Sequence, residues 1–154
     1  MKTTIKDDQT RAGERRRGSQ DAIAKMVTER TEMLALYCRL AGLDPFSQKQ
    51  HREPAQQLLQ EFCQVLVDYI AAGHFSLYER VVNGTERRRD VATLAERLYP
   101  RIADTTQAAL DFNDKYDLGE NGIIPPSFEP DLSRLGEELA VRIELEDQLI
   151  ARIV

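Results

Sequence analysis

The sequence predicts an all-α protein, an antiparallel helical bundle with a kinked central helix, and three observations carry that expectation. Apolar residues recur at three-, four- and seven-residue steps through several long stretches. No stretch alternates apolar and polar residues as a half-buried strand would. Glycine, proline and Asn-Gly punctuation divides the chain into segments of about 20 residues or more, joined by shorter links, which suits neighbouring antiparallel helices.

The first eighteen residues are polar, with Gly13 and Gly18 bracketing Arg15, Arg16 and Arg17, and read as a flexible N-terminal arm (1–18) ahead of a single helical-bundle domain (19–154), the alternatives being a helical start that packs on the body and a nucleic-acid contact. Ser19 can accept a hydrogen bond from a free amide at a helix start, and Ile23, Val27, Leu34, Tyr37 and Ala41 form one face over residues 20–41. Gly42 and Pro45 end that helix.

Pro54 suits a first helical position, where its missing amide hydrogen costs nothing. From Ala55 through Leu58, Leu59, Phe62, Val65, Leu66, Tyr69 and Ile70 the apolar side chains span an arc of about 160°, wide enough for a helix packed between neighbours. The kink is expected at Ala72-Gly73-His74. Ser76 and Glu79 have the spacing of a capping box, and Phe75 just before them can act as its apolar staple, so a short helix is expected through Val82, ended by Asn83-Gly84.

Val91, Leu94, Leu98, Ile102, Ala109, Phe112 and Tyr116 keep one phase across Pro100, which predicts one bent helix over 86–117. The run from Gly119 to Pro126 cannot continue a helix, and Pro130 adds a restriction. Asp131 is expected to cap the last helix, whose face is Leu132, Leu135, Leu139, Ile143, Ile150 and Ile153.

Composition narrows the function. The 154 residues fit one domain, 42% of them apolar and 31% charged, with a net charge of −5. Six basic and three acidic side chains fall in the first twenty residues, so the remainder carries −8 and can attract a cationic partner. Cys38 and Cys63 lie in apolar helical runs, where a thiol packs as a small hydrophobe, and a disulfide scaffold is not expected. No long uncharged apolar segment is present at either end, so no membrane contact is expected and the location is expected to be cytoplasmic.

Catalysis is not expected. Ser76, His74 and Asp68 could form a nucleophile, base and orienting acid, but the capping pattern accounts better for Ser76. No metal is expected: a carboxylate-bridged dimetal bundle needs Glu-x-x-His, and the positions three before His51 and His74 hold Gln48 and Ala71. Nor is a cofactor, since no glycine-rich phosphate loop is present. An alternative role as a nucleic-acid-associated regulator would use Arg15–Arg17 and Arg87–Arg89, although acidic residues spread through every helix argue against direct DNA binding.

Two carboxylates interrupt apolar faces. Asp68 lies about 60° beyond the edge of the apolar arc, where it could receive an arginine fork from a partner or tie internally to His74 or Tyr78. Glu146 falls within the apolar stripe of the last helix, one turn after Arg142, and must be paired or solvated; a pair with an arginine is the better account, a partner contact the other. Tyr37, Tyr69, Tyr78 and Tyr116 are expected at the core edge.

The segment Glu61-Phe62-Cys63-Gln64-Val65-Leu66-Val67-Asp68-Tyr69-Ile70-Ala71-Ala72-Gly73-His74-Phe75-Ser76-Leu77-Tyr78-Glu79-Arg80 closely resembles the signature block of the Rsd/AlgQ family, the regulators of sigma D. The likeness extends to the tyrosine-bearing first helix, to Leu98-Tyr99-Pro100, and to Gly136-Glu137-Glu138 and Leu145-Glu146-Asp147. The resemblance implies a helical-bundle anti-sigma factor that binds region four of the primary sigma factor. That region reads the −35 promoter element and touches core polymerase, so binding it limits both uses. The resemblance further implies a sigma-binding surface of Asp68, His74, Phe75 and Tyr78, with Ser76 and Glu79 as the structural cap, and in some lineages the phosphocarrier HPr as another partner. The arginine-bearing N-terminus and the end at Ile153-Val154 depart from the family pattern.

Overall fold

The computed structural model describes residues 2–42, 52–79, 88–117 and 122–153, with side chains followed from residue 20 in the first helix and from residue 55 in the second. Four α-helices form the bundle: α1 (Lys2–Ala41), α2 (Arg52–Gly73), α3 (Arg89–Tyr116) and α4 (Phe128–Ile153). A π-helical turn, His74–Tyr78, continues α2. The order is up, down, up, down. Tyr37 of α1 meets Phe62 of α2, Tyr78 meets Tyr99, and Tyr116 of α3 meets Phe128 of α4. Among the described residues no strand is present.

The apolar periodicity in the sequence maps onto the core. Ile23, Met26, Met33, Leu36 and Leu40 of α1 are buried against Leu59, Phe62 and Leu66 of α2, and Leu135, Leu139 and Leu149 of α4 close the far side. Phe62 also meets Phe112 edge-on at 5.9 Å, so the aromatic stack passes from α1 through α2 to α3. Pro100 lies inside α3 on its exposed side, and the helix continues through it. Cys63 is buried and its thiol is pushed up to about 12, mainly by burial, whereas Cys38 is exposed and does not pack as a core hydrophobe.

Several local expectations are corrected. The first helix begins at Lys2, so its helical path runs through Gly13, Gly18 and Ser19 instead of starting after them. The helix α4 begins at Phe128, with the Asp131 amide already donating to Ser127 O at 3.0 Å. Ser127 therefore holds the cap position expected for Asp131, and Pro130 fits the first turn because no amide partner is needed there. Asp131 instead receives Tyr116 Oη at 2.6 Å and Lys115 Nζ at 2.7 Å, fastening α4 to the end of α3. The expected short helix through Val82, its Asn83-Gly84 stop and the Gly119-Glu120-Asn121 part of the loop lie outside the described residues.

The cap expected from Ser76 and Glu79 is likewise absent. Gly73 and Glu79 both have right-handed helical backbone angles, so the chain does not break there. Ser76 Oγ donates to Ala72 O at 2.7 Å, and the Glu79 amide donates to His74 O, five residues back. The kinked central helix is thus α2 and a π turn joined without interruption, since one extra residue in the turn bends the rod as a break would.

Gly73 explains the location of that turn. A Cβ there would lie 3.1 Å from Arg142 Nη2 and 3.8 Å from Glu146 Oε1. Arg142 and Glu146 are both buried on the inner face of α4. Arg142 Nε donates to Glu146 Oε1 at 2.8 Å, and its Nη1 donates to the Thr106 and Thr105 hydroxyls of α3 at 2.7 and 3.2 Å. Tyr69 Oη of α2 donates to the same carboxylate at 2.6 Å, and Arg30 of α1 stands 3.5 Å from its other oxygen. The guanidinium carbon lies 5.5 and 5.6 Å from the ring centres of Tyr69 and Tyr78. Burial pulls the Glu146 carboxyl above its usual range, against the opposing pull of Arg142 and the tyrosine hydrogen bond. The intramolecular pair expected for Glu146 is therefore present, at the meeting point of all four helices.

Two stability outcomes follow from these contacts. Glu146→Ala, which leaves Arg142 charged, buried and unpaired, is expected to cost about 3–5 kcal/mol, with Arg142→Met plus Glu146→Leu recovering most of it. Urea melts of the three forms check this, and equal losses in the single and double variants would count against it. At Gly136 an added Cβ would run into the Tyr37 hydroxyl, which donates to Leu132 O at 2.9 Å. Gly136→Ala should cost about 1–3 kcal/mol by overpacking. Tyr37→Phe in the same chain should return only part of it, because the hydroxyl is the atom struck hardest while the ring carbon Cζ, at 2.7 Å, remains.

Candidate functional site

The π turn separates its ends, with Ser76 half-buried between them. A wider turn delays the rotation of the chain about its axis, so Leu77 and Tyr78 both face the core. His74 and Phe75 stay outside: Phe75 is 67% exposed, with the His74 ring edge-on to it at 5.2 Å. Large side chains are rarely left so open on an internal helix without a use, since covering apolar surface is favourable.

Two clefts flank Phe75. The cleft between α2 and α3 is about 360 Å³ and lined by Ile70, His74, Phe75, Tyr99 and Leu110, the last also exposed. The one between α1 and α2 is about 540 Å³ and lined by Lys25, Glu29, Asp68, Phe75 and Ser76. One side is apolar and aromatic, the other acidic, and Phe75 belongs to both.

Asp68 is exposed, one turn before Ala72 on α2, and accepts a hydrogen bond from Gln64 Nε2 at 3.1 Å. Among the described residues no hydrogen bond ties it to His74 or Tyr78, so the internal tie is not formed. Its second oxygen keeps its acceptor sites open to a partner. The groove between α3 and α4 makes a useful contrast: Arg101 there forks onto Glu138 at 2.9 and 3.1 Å, and Asp131 is already taken by Lys115 and Tyr116. Its charges are largely spent within the fold.

Of the residues singled out in the sequence, Asp68, His74 and Phe75 are brought together on one surface. Tyr78 is not at that surface. It is 2% exposed, its hydroxyl is buried without a hydrogen-bond partner, and burial holds that hydroxyl well above the usual phenol range. It supports the turn from beneath. Glu29, which the sequence reading passed over, joins the surface from α1. Its signal was weak, because a glutamate on the polar side of an amphipathic helix looks like any solvated charge.

The arrangement does not support a catalytic relay. The Ser76 hydroxyl is committed to Ala72 O, and among the described residues no hydrogen bond joins it to His74 or His74 to Asp68. No group of three His, Cys, Asp or Glu side chains among the described residues is placed to hold a metal. No described helix is long and apolar enough to cross a membrane. Of the arginine clusters, the side chains of Arg15, Arg16, Arg17 and Arg87 lie outside the described residues. Arg89 meets Arg97 and Arg152 around a cleft at one end of the bundle, and Arg88 donates to Ile153 O at 3.5 Å.

Comparison with known proteins identifies the surface's lineage. Residues 6–154 match the family model described as regulator of RNA polymerase sigma(70) subunit, Rsd/AlgQ. A regulator of sigma D from Yersinia enterocolitica is 34% identical over 137 residues, covering 86% of this chain and 80% of that protein. A regulator of sigma D from Shigella dysenteriae is 34% identical over 145 residues, covering 92% and 89%. Both relatives are described as regulators of sigma D. A match that takes in the π turn, the buried Arg142–Glu146 pair and all four helices leaves one assignment: the chain belongs to the Rsd/AlgQ family of RNA polymerase sigma-subunit regulators.

Proposed function

We propose that this protein is a cytoplasmic anti-sigma factor that holds region four of the primary sigma factor on the outer face of α2. The observation that carries the reading is Phe75, 67% exposed on the π turn, beside an Asp68 with unused acceptor sites. The membership of the chain in a sigma-regulator family supports it. Charge supports it as well: a DNA-reading module presents cations to phosphates, and outside its first twenty residues this chain carries −8.

The roles divide by chemistry. Long-range attraction between an acidic body and a cationic module raises the rate of encounter, while a buried aromatic anchor lowers the rate of escape. Asp68 receives an arginine fork, Phe75 enters an apolar depression of the partner, His74 braces the Phe75 ring, and Tyr78 holds the turn. Occupying the DNA-reading face of region four limits its use at the −35 element, and covering its polymerase-binding face limits its use by core polymerase.

Titration of isolated region four against wild type, Asp68→Asn and Phe75→Ala checks the reading. Phe75→Ala should weaken binding at least tenfold, a loss of about 2 kcal/mol typical of a central aromatic anchor. Asp68→Asn should weaken it several-fold and flatten its dependence on salt. Because both side chains are exposed, melting temperatures should stay near wild type. Folded wild-type protein that fails to bind region four at low ionic strength would overturn the proposal.

A further inference from the structure

We propose that the cleft between α1 and α2 is a slot for one arginine of the partner, and that Glu29 of α1 supplies its second carboxylate. This rests on the docking reading above and assigns a specificity residue to a helix that the family signature block does not include.

Glu29 and Asp68 approach the cleft from opposite walls, and Phe75 stands at its rim. Glu29 Oε2 is shut off from solvent and has no hydrogen-bond partner. A carboxylate with one oxygen desolvated and unpaired is an unfavourable state, which a cation seated in the cleft beside it would offset. Two other polar groups in the cleft are already engaged. The Ser76 hydroxyl is committed to Ala72 O, and Gln64 occupies one oxygen of Asp68. Lys25 lines the same cleft, but among the described residues it forms no ion pair with either carboxylate, so two negative charges face one positive charge. One more cation is needed for balance.

The geometry selects arginine over lysine. A guanidinium is planar, carries five donors in a fixed fork and can bridge two carboxylates while its flat face rests on an aromatic ring, here Phe75. An ammonium is a point charge that would satisfy one carboxylate at a time. The small side chains Ala22, Ala71 and Ala72 leave room for the aliphatic stem of an arginine to lie along the cleft wall.

The test uses the full chain and isolated region four of the primary sigma factor, with each surface arginine of region four replaced in turn by alanine. Glu29→Gln should weaken binding to unaltered region four roughly three- to tenfold without lowering the melting temperature. Against one particular arginine variant, the same Glu29→Gln change should have no further effect, and Asp68→Asn should lose its effect against that same variant. If Glu29→Gln binds as wild type while Asp68→Asn and Phe75→Ala lose affinity, the slot is overturned and the docking reading stands. If Glu29→Gln weakens binding equally against every arginine variant, its charge acts at long range and the slot is again overturned. If no form of region four binds the wild type, the docking reading falls and takes the slot with it.

Discussion

The fold is organised around a charge it could have done without. Arg142 and Glu146 are taken out of water on the inner face of α4, and a buried ion pair contributes little net stability against an apolar pair of similar size. Once present, however, the two charges impose strict conditions on their neighbours. The guanidinium takes the Thr105 and Thr106 hydroxyls of α3, and the carboxylate takes Tyr69 of α2 and sits near Arg30 of α1. Each helix must present its polar group at one height and one rotation. Helix register, which apolar packing alone specifies loosely, is thereby fixed.

The π turn is best understood from that centre. Arg142 needs room beside α2, and Gly73 provides it, because any side chain there would press on the guanidinium. Tyr78 then covers the other side of the guanidinium, at 5.6 Å from its ring centre. In a continuous α-helix the residues that follow Gly73 could not deliver both Leu77 and Tyr78 to the interior. One wider turn does so, while His74 and Phe75 stay on the outer side where helical phase already places them. The exposed aromatic is therefore carried on a turn whose following residues, Leu77 and Tyr78, are anchored in the core.

Much of this was legible in the sequence, and the failures have physical causes. Apolar spacing gave the helices and their inward faces because burial of a stripe is a local, periodic signal. Glu146 stood out as a carboxylate where the stripe required an apolar residue, and its pairing with Arg142 could be inferred because the two are one turn apart. Ser76 and Glu79 misled because a capping box and a π turn use the same residues. What decides between them is the arginine behind Gly73, which comes from a helix about seventy residues away and leaves no local trace. Tyr78 was expected at the core edge, and it lies deeper because the extra residue in the turn rotates it inward, away from the surface role that the resemblance implies. Glu29 carried no distinguishing pattern, since its significance depends on facing Asp68 across a groove.

Glu29 and Arg30 are adjacent in α1 and serve the two sides of the molecule. Arg30 bonds Asp147 at 2.8 Å and reaches toward the buried Glu146, while Glu29 lines the cleft beneath Phe75. On a helix, neighbouring residues point about 100° apart, so fixing one fixes the direction of the other. The ion pairs that lock Arg30 in the bundle consequently set the height at which Glu29 stands in the cleft it shares with Asp68. The walls of the cleft belong to different helices, yet both helices are held by the same carboxylate: α1 through Arg30 and α2 through Tyr69. A surface proposed for recognition needs firm support behind it, and here the buried pair ties both walls together, at a cost in desolvation that an apolar core would not have carried.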